Sequence, residues 1–229
     1  MTLSVTPIAA AREIFGASLL GPDDVARVLA VAPDRLAADD RAALETAPYD
    51  REGLVAARAR GDILVFRVAS DGSAPLTTLR LLERFPETVQ PQLLKGVGYQ
   101  LKDEWTVDQE PFASTATCRT GWSLVHGTPV PASCNLNYEQ QDAALARYAE
   151  SLGLQGRLSR RTAIDAIYDT ILLNRAHGTR LLERSWDWSS TPTQDGGFVT
   201  VGEFASDGLK IVGYSRAVRF GTLGVCPQQ

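Results

Sequence analysis

The sequence predicts an α+β fold, and three observations carry that reading. Helical periodicity dominates up to about residue 178, most clearly in two capped segments after Asn137 and Ser159. Beyond Arg180 the texture changes to short alternating runs separated by glycines. Helices and strands are thus segregated along the chain instead of alternating as βαβ units.

Near the N-terminus, Gly21-Pro22-Asp23-Asp24 places a proline at the start of a helix and two acids in its first turn, where the helix dipole favours them. Val25, Val28 and Leu29 supply its apolar face. Asp39 to Ala47 and Arg51 to Arg60 are weaker helices, rich in Ala and Arg. Ile63-Leu64-Val65-Phe66 is a continuous apolar run after Gly61, as a buried strand requires. Ser73 can cap the next helix, with Pro75 in its first turn and Leu76, Leu79 and Leu82 inward. Pro86 and Pro91 mark an internal boundary between a mainly helical region, 1–90, and a second region, 91–229. Trp105, Phe112 and Trp122 anchor the first part of the second region, and Trp122 to Val125 reads as a strand.

Asn137 and Gln140 have the spacing of a capping box, and Tyr138, Leu145, Tyr148 and Leu152 form a buried stripe ahead of Gly153. The second helix begins near Ser159; Ile164, Ile167, Tyr168 and Ile171 make its core-facing stripe, and Gly178 stops it after His177. Phe198 to Phe204 alternates, Leu209 and Ile211 alternate with Lys210 and Val212, and Leu223 and Val225 form a last apolar pair.

Composition bounds the function. Of 229 residues, 44% are hydrophobic and 22% charged, the usage of a globular protein rather than a disordered tail or a coiled-coil rod. The net charge of −4 divides evenly: residues 1–100 carry 11 basic and 13 acidic groups, residues 101–229 carry 12 and 14. Neither half has the one-signed field of a nucleic-acid binder or an anionic-membrane binder. The N-terminus shows no basic and apolar signal pattern, and no apolar run approaches the roughly 18 residues of a membrane span. A cytoplasmic protein with reduced Cys118, Cys134 and Cys226 is expected, although a Cys118–Cys134 pair is a second option.

Catalytic patterns are scarce. There is no His-Glu-x-x-His, Walker loop, Gly-x-Ser-x-Gly elbow or dinucleotide fingerprint, and the cysteine spacings match no zinc site. No cofactor or metal is expected. His126 reads as a loop or strand-edge residue and His177 as a cation at a helix C-terminus. The acid pairs Asp23/Asp24, Asp39/Asp40 and Asp103/Glu104 read as helix starts or solvated loops. Arg157, Arg160 and Arg161 form the one candidate anion site, with a solvated helix start as the simpler reading. Trp186 and Trp188 flank Asp187, so on a strand both indoles share a face, suited to core packing or to a ligand platform. Between Leu209, Ile211, Leu223 and Val225 stand chemically mixed residues, rich in Tyr and Arg, as on a recognition surface.

Arg147-Tyr-Ala149, Trp186-Asp-Trp-Ser-Ser190, Gly197-Phe-Val-Thr-Val-Gly-Glu-Phe204, Asp207-Gly-Leu209 and Leu223-Gly-Val225 together resemble C-type lectin-fold domains. The resemblance is to the branch shared by formylglycine-generating-type enzymes and the variable proteins of diversity-generating retroelements, and most to the latter. Glu13-Ile-Phe-Gly16 and Leu20-Gly-Pro22 extend it toward the N-terminus. It implies a C-type lectin-like domain over 91–229 that binds a protein ligand without catalysis. The exposed, diversified set it implies is Glu203, Ala205, Ser206, Lys210, Val212, Gly213, Tyr214, Ser215, Arg216, Val218, Arg219, Phe220 and Thr222, with two or three between Gly213 and Phe220 pointing inward. The family's usual basic tail is replaced by Cys226-Pro-Gln-Gln229, and calcium-lectin signatures are absent. An enzyme on the same scaffold would have to use Cys226 or His126, since the paired cysteines of the oxidases are missing near the end. A phage or prophage assembly protein, with its first hundred residues for oligomerisation, is the third reading.

Overall fold

Ile63 to Phe66 has no polar face, and its strand is accordingly covered on both sides. In the computed structural model, which describes residues 5–31, 44–88 and 106–229, every residue of Asp62–Arg67 is buried. The architecture is α+β. Its strands are β1 (Thr6–Pro7), β2 (Leu19–Leu20), β3 (Thr46–Ala47), β4 (Asp62–Arg67), β5 (Gly121–His126), β6 (Ser159–Arg160), β7 (Trp186–Pro192), β8 (Phe198–Ala205), β9 (Gly208–Tyr214), β10 (Leu223–Gly224) and β11 (Pro227–Gln228). The helices are α1 (Ile8–Phe15), α2 (Pro22–Leu29), α3 (Arg51–Ala59), α4 (Thr78–Arg84), α5 (Pro111–Thr115), α6 (Tyr138–Ser151) and α7 (Ala163–His177).

Two main sheets share the core. One runs β2-β4-β5-β11-β6, with β4 and β5 antiparallel in the register Ile63↔Val125, Leu64↔Leu124 and Phe66↔Trp122. The other runs β10-β7-β8-β9, an antiparallel meander with β10 added parallel to β7. Helix α7 packs against β2 and β4 of the first sheet and β7 and β8 of the second. That position explains a difference from the expected narrow stripe. All residues from Ala163 to Leu173 are buried, including Asp165 and Asp169. β4 and β5 lie on opposite sides of residue 90, so both regions contribute to one sheet and one hydrophobic core. The boundary itself lies outside the described residues, as do Asp39/Asp40, Asp103/Glu104 and Trp105.

Local signals set most helix ends. The Asn137 side chain accepts from the Gln140 N–H at 2.9 Å, and the Gln140 side chain accepts in return from the Asn137 N–H at 3.2 Å. Thr162 caps α7, which therefore starts four residues later than Ser159; Ser159 and Arg160 pair as β6 instead. Gly178 closes α7 at φ 70°, a conformation that favours glycine. Asp24 accepts from the Gly21 N–H at 3.0 Å. Burial pushes its carboxyl up, but this bond and the Arg27 guanidinium together hold it below the usual carboxylate range. Ser73 does not cap α4. Thr77 does, while Ser73 belongs to a turn built on Asp71, which accepts from the Ser73 and Ala74 N–H groups and from Arg80.

Candidate recognition surface

The strands β7 to β9 have two apolar faces, and this determines which residues reach solvent. Val199, Val201, Leu209 and Ile211 join the main core beneath α7. Trp186, Trp188, Phe198, Val212 and Tyr214 form a second cluster on the opposite face, with Tyr138 and Leu223. Both indoles are buried, so Trp186 and Trp188 are packing residues and not an open platform. Tyr138 and Phe198 stack with centroids 3.9 Å apart, and Trp188 meets Tyr138 edge-on at 5.3 Å. Guanidinium groups add to this layer: Arg160 lies 4.0 Å over Tyr138, and Arg216 lies 4.9 Å over Phe198.

The segment 215–222, between β9 and β10, covers this layer. Three backbone bonds tie it down: Tyr138 N–H to Arg216 O at 3.1 Å, Asn135 N–H to Phe220 O at 3.1 Å, and Trp186 N–H to Thr222 O at 2.8 Å. Ser215, Arg216, Arg219 and Thr222 are exposed, whereas Val218 and Phe220 are half-buried against the aromatic cluster. Phe220 meets Tyr214 edge-on at 5.7 Å.

At the β8–β9 hairpin, Glu203 adopts φ 43° and is half-buried, and its carboxylate pairs with Lys210 Nζ at 2.8 Å. Ala205 and Gly213 are half-exposed and Ser206 is exposed. Val212 and Tyr214, expected among the exposed residues, are 3% and 5% exposed and belong to the aromatic cluster. Alternation by itself predicts one buried and one open face, but the segment 215–222 and the start of α6 cover the second face. Gly202 fits at its place because the backbone of Ser185 passes close by; a Cβ there would lie 2.2 Å from the Ser185 carbonyl oxygen.

The arginines before α7 are not one anion site. Arg160 bonds Asp142 at 2.7 Å and the carbonyls of Trp188 and Tyr138. Arg161 donates to Asp187 at 2.8 Å and to Asp169 at 3.1 Å. Arg67 binds Asp169 from the other side, and Asp187 accepts from the Cys226 N–H at 2.8 Å. Only Arg157 of the three remains exposed. The sequence signal for this network was Asp165 and Asp169 in an otherwise apolar helix, since buried acids require partners.

The reactive groups of the enzyme reading are enclosed. Cys226 is fully buried, and burial, with Asp187 adding to it, pushes its thiol well above the ordinary range. His126 is 8% exposed; its Nε2 lies 2.9 Å from the Tyr148 hydroxyl. Its Nδ1 stands 2.8 Å from Asp62, without the in-line geometry of a hydrogen bond. His177 Nε2 donates to the Leu19 carbonyl at 2.9 Å, with Asp24 Oδ2 at 3.5 Å. The three cysteines are free thiols. Among the described residues, no group of three or more His, Cys, Asp or Glu side chains is arranged to hold a metal ion, and no helix is long and apolar enough to cross a membrane. Comparison with known protein families, curated proteins and solved structures finds no match.

Proposed function

We propose that the chain is a recognition module with a C-type lectin-like domain, which binds a protein ligand through the surface formed by 203, 205, 206, 210 and 215–222. The observation that carries this reading is the anchoring of 215–222. Backbone bonds and a packed aromatic floor hold the segment, while Ser215, Arg216, Arg219 and Thr222 project to solvent. A pre-ordered segment loses little entropy on binding, and Ser215, Arg219 and Thr222 can be exchanged without unfolding the floor, whereas Arg216 also lies over Phe198. Two helices ahead of a small antiparallel meander also agree with the lectin-like resemblance.

The test is to sequence the source locus around codons 200–226, seeking an imperfect second copy and a neighbouring reverse-transcriptase gene. Differences concentrated at adenines in the codons of Ser215, Arg216, Arg219 and Thr222, sparing Val212 and Tyr214, are expected. Absence of any copy, or differences spread equally over buried codons, overturns the reading.

A further inference from the structure

On the five-stranded sheet, far in topology from 203–222, an open cleft of about 600 Å³ lies among the start of β5, the cap of α7 and β11. Its size is that of a small-molecule site. Arg119 and Arg157 line it, and both are exposed. Neither has an ion pair among the described residues, and the Arg157 guanidinium faces the neutral side-chain amide of Gln229, whose oxygen accepts from it once the amide is turned about. Behind them Arg67 forms the floor, with Nη1 donating to Ser123 Oγ at 3.2 Å and to Gln228 Oε1 at 2.7 Å.

The hydroxyls are oriented by their own acceptor roles. Ser123 accepts from Arg67, Thr120 Oγ1 accepts from the Ala69 N–H at 3.0 Å, and Thr162 Oγ1 accepts from the Asp165 N–H at 3.2 Å. With a lone pair occupied in this way, Thr120 and Ser123 each keep a hydroxyl proton to donate to a ligand, whereas the Thr162 hydroxyl turns its proton to the Asp165 carboxylate, which also lines the cleft. The charge balance agrees. The buried network of Arg67, Arg161, Asp165, Asp169 and Asp187 has one acid in excess, and the two cleft arginines turn the sum to one positive charge. Two guanidiniums and two hydroxyl donors exceed what the two oxygens of a carboxylate can use, but suit the three terminal oxygens of a phosphate.

We propose that this cleft binds a small phosphate-bearing molecule, with Arg119 and Arg157 on its anionic oxygens and Thr120 and Ser123 as hydroxyl donors. The site shares no residue with the recognition surface and stands or falls independently of it.

The experiment is calorimetric titration of the full chain in chloride buffer with inorganic phosphate, phenyl phosphate and acetate, alongside thermal unfolding. Saturable phosphate binding that weakens at least tenfold in Arg119→Ala/Arg157→Ala, with an unchanged Tm in chloride alone, is expected. Arg216→Ala, in the segment between β9 and β10, leaves binding unaltered. Should the double variant fold poorly, Arg119→Gln and Arg157→Gln make the same comparison singly. Tighter binding of phenyl phosphate identifies an organic ester, and equal or weaker binding identifies the free ion. No saturable binding, equal affinity in the variants, or acetate binding as tightly as phosphate overturns the proposal.

Discussion

Arg67 and Asp169 meet as a fork, Nε to Oδ1 at 2.8 Å and Nη2 to Oδ2 at 2.6 Å, with both side chains nearly or wholly removed from solvent. The pair joins β4 to α7, and through Arg161 and Asp187 it continues to β7. Burial alone would lower the Arg67 pKa, but Asp169 and Asp165 together raise it, so the guanidinium stays charged.

Asp169→Ala leaves two guanidiniums short of a partner and should destabilise the protein by about 3–5 kcal/mol. The replacement Arg67→Met with Asp165→Asn and Asp169→Leu, which removes Arg67 together with both of its carboxylates, should cost less than the single change, because Arg161 and Asp187 then remain as a closed pair. Urea unfolding of the two variants decides this; a cost below about 1 kcal/mol for Asp169→Ala would refute it.

Tyr214 supports the floor under 215–222 and packs edge-on against Trp186 and Phe220. Tyr214→Ala should therefore lose about 3 kcal/mol or more of stability, whereas Arg219→Ala, on an exposed side chain, should stay within about 0.5 kcal/mol of the parent. Equal stability of the two variants by chemical denaturation would mean that the aromatic layer does not hold this segment.

Thiol accessibility separates the cysteines. Cys134 is partly exposed, while Cys118 and Cys226 are buried, with thiols that burial pushes well above the ordinary range. A maleimide at neutral pH should label Cys134 first and the other two only on unfolding, as mass spectrometry of the peptides will show. Rapid native labelling of Cys226 would return a nucleophile to the molecule and revive the enzyme reading.

What the sequence disclosed was mostly local. The Asn137–Gln140 box and the stop at Gly178 each depend on neighbours within four residues, and each is found, whereas β8 is buried from Phe198 to Gly202 and its residues alternate only between two apolar layers. Arg160 and Arg161 look like a basic cluster in the sequence because their carboxylate partners, Asp142, Asp169 and Asp187, lie elsewhere in the chain. Val212 and Tyr214 look exposed because nothing local announces that 215–222 folds back over them. β6 and β11 are two residues each, too short for any periodicity, and exist only through their pairing.

That pairing has a kinetic side. β11 lies between β5 and β6, with Gln228 opposite Val125 and Ser159. An interior strand is thus recruited from across a long stretch of chain, and the entropy of closing that loop is lost before the ladder offsets it. The sheet is therefore expected to be completed late in folding, and a chain that lacks β11 pairing leaves β5 with an open edge on which another chain can pair.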